Sequence, residues 1–183
     1  MNIVLAITGA SGAIYPKIFL DHIKTLSGVK LLVVASDHGR RIFLEEVGMD
    51  LRECWQELLS TKDFDVPFVS GSANLTAMVI MPCSMGTLGR IAHGVSDNNI
   101  TRGADVCLKE RRKLILVPRE TPLSTIHLEN MLNLSLHGAI ILPAMPSFYT
   151  LPQTKEEIAA TVVARVFDHL GLEHDLMKKW RQA

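Results

Sequence analysis

Five short segments carry hydroxyl, glycine, cationic or phenolic groups directly after β-branched apolar runs. Thr8-Gly9-Ala10-Ser11-Gly12 follows the first run, and Ser36-Asp37 the second. Pro82-Cys83-Ser84-Met85-Gly86-Thr87 follows the third, Pro118-Arg119-Glu120-Thr121-Pro122 the fourth, and 143–149, ending in Tyr149, the fifth. Short hydroxyl side chains and free backbone N–H groups at a helix start attract an anion. The turn at Gly9, Ala10 and Ser11 and the turn at Ser84, Met85, Gly86 and Thr87 make that offer twice, which points to a mononucleotide. A tight βα turn with no ligand remains the plainer reading of either turn alone.

The cations form a second pattern. Arg102, Lys109, Arg111, Arg112, Arg119 and Arg165 lie around the fourth run or the last helical segment. Lys109 to Lys113 reads equally as the solvated end of a helix. Arg119 sits where a buried strand opens to the ligand side, with Glu120 beside it; an internal ion pair is the competing account. Arg165 borders an apolar helical stripe, from which it could snorkel to solvent or reach a phosphate. Tyr149 is a phenol on a loop, a phosphate or proton donor or a packed ring.

Elements must hold these groups in place. Runs at 2–8, 29–35, 78–81, 114–117 and 139–142 read as buried strands, all but the second ended by glycine or proline, with a further short strand possible at 66–69. Helical spacing covers 13–26, 37–47, 51–60, 86–94, 101–112, 124–137 and 154–170. Ser36 and Asp37 stand at a helix start, and Thr154 with Glu157 forms a capping-box pattern. Alternating strands and helices predict an α/β three-layer sandwich, a mostly parallel sheet with helices on both faces. Ligands then sit outside the carboxyl ends of the strands. The helix at 124–137 is apolar around most of its circumference, which implies a subunit interface or a helix crossed by others within one monomer.

The chain has 183 residues, 48% hydrophobic and 21% charged, with 19 basic and 19 acidic residues. That length suits one domain over 1–183, with 171–183 as a tail. Balanced charge argues against nucleic acid, and no apolar stretch is long enough to span a bilayer. The three cysteines form no CxxC, the start does not read as a signal peptide, and a cytoplasmic protein with reduced thiols is expected. GxGxxG, GxxxxGK, HExxH and GxSxG are absent, which disfavours dinucleotides, P-loop chemistry, a metal site and a serine nucleophile.

Together these residues resemble the UbiX/Pad1 family of flavin prenyltransferases. ITGASGAIY, CLKERRKLILVPRETPLSTIHLENM and ARVFDHLGL carry the likeness, which extends over nearly the whole chain outside 48–75. The resemblance implies a Rossmann-like (flavodoxin-like) fold, FMN, in its reduced form, as prenyl acceptor, and dimethylallyl monophosphate as donor to N5 and C6. It also implies a homo-oligomer, a dodecamer with sites at subunit interfaces, and hand-over of prenylated FMN to a UbiD-type decarboxylase. By motif, Gly9, Ala10, Ser11, Ser36, Ser84, Met85, Gly86, Thr87 and Arg119 resemble the FMN binders. Arg102, Lys109, Tyr149 and Arg165 resemble the prenyl-phosphate ligands. Glu120 resembles the catalytic glutamate, with Ser11, Glu46 and Tyr149 as further catalytic groups; Glu45 competes with Glu46 for its place. Trp180 resembles a tail residue that covers the site. Two alternatives stand beside this: an FMN-dependent cysteine-type decarboxylase and a non-catalytic FMN-binding subunit.

Overall fold

The computed structural model describes residues 1–178; Trp180 lies outside them. Six strands form one sheet: β1 (Asn2–Ile7), β2 (Lys30–Ala35), β3 (Leu58–Ser60), β4 (Ala77–Cys83), β5 (Lys113–Pro118) and β6 (Ile140–Ile141). Their order is β3-β2-β1-β4-β5-β6 and every pairing is parallel. Strands buried on both faces need continuous apolar sequence, and β1 and β4 have it. In β1, Ile3, Leu5 and Ile7 enter one core while Val4 and Ala6 enter the other.

The first core lies under α1 (Ile14–Ile23), α2 (Asp37–Val47), α3 (Leu51–Cys54) and α7 (Lys155–Leu170). Phe19 of α1 meets Phe167 of α7 with ring centroids 5.0 Å apart. The second lies under α4 (Met85–Ala92), α5 (Asn99–Lys109) and α6 (Thr125–Leu136). No helix among the described residues is long and apolar enough to cross a membrane.

The sequence reading needs four corrections. The helix expected over 51–60 is only α3, followed by the edge strand β3. Its start is genuine, because Asp50 and Glu53 form a capping box, but Trp55 is already extended. The strand considered at 66–69 is a 3-10 turn over Pro67–Val69, as proline at its start favours. At α7, Thr154 accepts from Glu157 N–H, but the Glu157 carboxylate turns to Gln153 N–H instead of closing the box. Finally, α6 is not crossed on all sides within the protomer. Only Asn130 and Leu134 are buried, while Ile126, Leu128, Leu132 and Leu136 are 51–77% exposed.

Candidate active site at the carboxyl ends of the strands

The strand order places a topological switch between β1 and β4, whose chains leave toward opposite edges of the sheet. Such a switch opens a crevice for ligand at the carboxyl ends. Thr8 ties its two sides together. Its hydroxyl donates to the Pro82 carbonyl at 2.9 Å and accepts from Ser84 N–H at 2.8 Å, in a buried position. The GASG turn and the Ser84 turn are therefore held in fixed relation.

Each turn opens a helix. Ser84 Oγ caps α4 by accepting from Thr87 N–H at 3.3 Å, leaving Met85 and Gly86 N–H at the helix start without a partner among the described residues. A Cβ on Gly86 would meet nothing within 4 Å, so this face is open to a ligand. Ser36 caps α2 from β2 by accepting from Gly39 N–H at 3.0 Å. Two glycines let α2 close on β1: a Cβ on Gly39 would lie 2.7 Å from the Ile7 carbonyl, and one on Gly9 would lie 2.9 Å from His38 Cβ.

The centre of the crevice is an ionic relay. Glu46, near the end of α2, accepts from Gly12 N–H at 2.9 Å and from Ala13 N–H at 2.8 Å. Burial pushes its carboxyl up, but hydrogen bonds from Ser11, Gly12 and Ala13 and the charge of Arg119 outweigh this and hold it below the ordinary glutamate value. Arg119 Nε donates to the Ser11 carbonyl at 3.1 Å. Residues from β1, α2 and β5 thus meet at Ser11. Glu45 pairs instead with Arg41 at 3.6 Å, so of the two neighbouring glutamates it is Glu46 that meets the GASG turn.

Arg119 turns to Ser11 and not to Glu120, so the internal ion pair considered from sequence does not form. Glu120 is exposed, its carboxylate accepting from Thr121 N–H at 3.0 Å. Both residues line a cavity of about 270 Å³ with Leu123, Met131, Pro143 and Met145. It carries a mostly apolar wall beside one cation and one carboxylate. Tyr149 lies on the exposed loop before α7.

The remaining cations do not gather here within one protomer, as a site completed by neighbouring subunits would require. Arg102 donates to the Val69 carbonyl and pairs with Asp105 at 2.8 Å. Lys109 pairs with Glu110 at 2.7 Å, beside Gly71. Both belong to α5, which starts near the end of β3, where Asn99 binds the Ser60 and Asp63 carbonyls, and runs to the opposite end of the sheet. Arg165 lies in the other layer, on α7, paired with Asp168 at 2.5 Å. Arg112 is structural, donating to the Gly71 carbonyl.

Sequence reasoning missed the role of Thr8 as the clamp, the Gly12 and Ala13 N–H groups as partners of Glu46, and Tyr15. Burial raises the Tyr15 phenol above its ordinary value, opposed by the Arg119 charge. Gly12, at φ +115°, sits where a Cβ would strike the Tyr15 ring at 2.8 Å. Its glycine was visible in sequence; its ring neighbour was not.

Comparison with known proteins places this geometry. The Flavoprotein family model matches residues 1–167. Flavin prenyltransferase UbiX of Methanothermobacter thermautotrophicus is 48% identical over 97% of this chain and 94% of its own length. The chain belongs to the UbiX family of flavin prenyltransferases. The UbiX of Pseudomonas aeruginosa is 43% identical over 98% of this chain and 93% of its own. Among solved structures, AnUbiX (PadA1) in complex with FMN and dimethylallyl pyrophosphate superposes with a TM-score of 0.94, at 37% identity over 100% of this chain and 98% of that one. The dodecameric FMN-dependent UbiX-like decarboxylase of Escherichia coli O157:H7 gives 0.96, at 40% identity over 99% and 100%. The FMN-dependent cysteine decarboxylase SpaF shares the fold, with a TM-score of 0.65 at 15% identity.

Proposed function

We propose that this UbiX-family chain transfers a dimethylallyl group from dimethylallyl monophosphate to N5 and C6 of reduced FMN. The observation that carries the reading is the Arg119–Ser11–Glu46 link across the switch point, opening beside Glu120 into a mostly apolar cavity. The residues fit a mononucleotide: α2 and α4 start at the crevice, and Gly86 leaves it open. Gly9, Ala10, Ser11, Ser36 and Ser84 to Thr87 would hold FMN, with Arg119 beside its ring system. When bound, reduced FMN supplies the nucleophilic N5 and the C6 position that accept the prenyl group.

The chain's own task is positioning and charge. Departure of phosphate from an allylic carbon breaks a C–O bond and leaves negative charge on the leaving group. Arg165, Lys109, Arg102 and Tyr149 meet that charge, and donors aimed in advance are worth most in a water-excluded site. Closing the second bond adds one proton to the dimethylallyl double bond and removes one from C6, and Glu120 would carry that proton transfer. Glu46 stays ionised and fixes Ser11, whose hydroxyl it accepts from.

Arg102 and Lys109 lie in one helical layer and Arg165 in the other. This separation supports a site completed by neighbouring subunits of a homo-oligomer, a dodecamer like the Escherichia coli relative. The exposed apolar face of α6 supports the same assembly. The prenylated product would pass to a UbiD-type decarboxylase in the cytoplasm. Under anaerobic conditions, with no other protein present, the chain should release inorganic phosphate in step with flavin consumption. Phosphate release with the flavin unchanged would count against the reading.

A further inference from the structure

The last turn of α7 carries a cluster in which one carboxylate serves two elements. Asp168 Oδ2 accepts from Arg165 Nη1 at 2.5 Å, and Oδ1 accepts from His174 Nε2 at 3.1 Å. Arg165 lies one helical turn before Asp168, so the pair shares a face. His174 lies beyond the α7 cap at Gly171, in the segment 172–178. Its side chain is only 3% exposed and packs edge-on against Phe167, with ring centroids 6.0 Å apart. His22 of α1 also meets Phe167 edge-on, with ring centroids 5.1 Å apart, and lies 3.7 Å from Asp175 of the segment. The segment is thus docked by a buried ring and not merely draped over the surface.

The arrangement also decides which edge of Arg165 is available. A guanidinium has five N–H donors in a planar fork. Asp168 takes one through Nη1, while the Nε–Nη2 edge has no partner among the described residues. That edge presents two parallel donors, the geometry that meets two phosphate oxygens. Arg165 is 55% exposed, so without Asp168 its long side chain would sample many rotamers. Burial pushes the Asp168 carboxyl up, but the His174 hydrogen bond and the Arg165 charge hold it below the ordinary aspartate value.

We propose that Asp168 is a positioning residue for prenyl transfer: it fixes the phosphate-binding edge of Arg165 and couples it to docking of the 172–178 segment through His174. The proposal rests on the reading of Arg165 as a prenyl-phosphate ligand. Two oxygens are needed because two donors converge on them. An asparagine has one oxygen, so it satisfies one partner and turns an N–H toward the other.

The test is steady-state kinetics on the assembled enzyme with dimethylallyl monophosphate and reduced FMN. Asp168→Asn should raise KM for the prenyl phosphate about five- to tenfold, as expected for a partly solvated charge-assisted contact, with kcat and FMN affinity little changed. In an Arg165→Ala background, itself raised in KM, the same substitution should have no further effect. His174→Leu, which removes the donor and keeps an apolar side chain, should raise KM about threefold. His174→Gln, whose amide N–H can replace it, should restore most of the loss. A normal KM for Asp168→Asn beside a raised KM for Arg165→Ala would overturn the coupling and leave the Arg165 assignment standing. Equal effects of Asp168→Asn with and without Arg165 would overturn it too, marking Asp168 as merely structural. An unchanged KM for Arg165→Ala would instead remove the assignment on which the coupling depends.

Discussion

Glu46→Gln is the most informative change in the crevice, because it keeps the size of the side chain and removes only its charge. One Glu46 oxygen accepts from both Gly12 and Ala13 N–H, at 2.9 and 2.8 Å, and the carboxylate also receives the Ser11 hydroxyl. A hydrogen bond to a charged group contributes about 1.5–3 kcal/mol when shielded. Glu46 is largely exposed, so solvent screening reduces the expected loss to about 1 kcal/mol. For a chain of this size that is a fall in Tm of about 2–4 °C. The pH dependence has a definite sign. The folded carboxyl titrates below the ordinary value of 4.5, so on acidification the unfolded chain takes up the proton first. The stabilisation is therefore complete above the unfolded value and disappears as pH falls through the folded one. Urea unfolding of both proteins at matched concentration should show the gap near neutrality and its closure in acid. A gap that stayed constant through the carboxylate range, or widened in acid, would refute the assignment of the effect to this ionised group.

Other changes test separate parts of the account. Thr8→Val removes the clamp, leaves Ser84 N–H without its acceptor in a partly buried site, and should cost about 1–2 kcal/mol in urea unfolding with weaker FMN binding by fluorescence. Full FMN affinity in a destabilised variant would separate Thr8 from the site. Glu120→Gln should retain FMN but lose ring closure, and intact four-ring product in its extracted flavin would sink the proton-transfer role. Leu132→Asp places a charge on the exposed face of α6, where Leu132 is 61% exposed in the protomer, and should yield smaller species by light scattering. An unchanged particle mass would remove this face from the subunit contact.

The strands that carry the site were legible because each is a continuous apolar run with a break close to its end: Gly9 lies just beyond β1 and Ser36 beyond β2, while Pro82 and Pro118, which read as stops, fall within the last residues of β4 and β5. The edge was harder to read. β3 has three residues, none buried, and the helix that the capping box at Asp50 and Glu53 starts ends after one turn at Cys54. The turns at Ser11 and Ser84 announced themselves by composition, but their partners did not. Glu46 meets Gly12 across 34 residues of sequence, and only the family resemblance singled it out. The cations show the opposite failure. Arg102, Lys109 and Arg165 have one charge type and one apparent purpose, yet composition carries no information about which layer a helix occupies. Their separation follows from α5 and α7 lying on opposite faces of the sheet.

The central claim is that the crevice at Ser11, Glu46, Arg119 and Glu120 alkylates the flavin itself. The direct measurement is the mass of flavin extracted after anaerobic incubation of this chain alone with reduced FMN and dimethylallyl monophosphate. The account predicts FMN heavier by one prenyl unit, with the ultraviolet–visible spectrum of a four-ring flavin after oxidation. Recovery of unmodified FMN from enzyme shown to bind both molecules would contradict it.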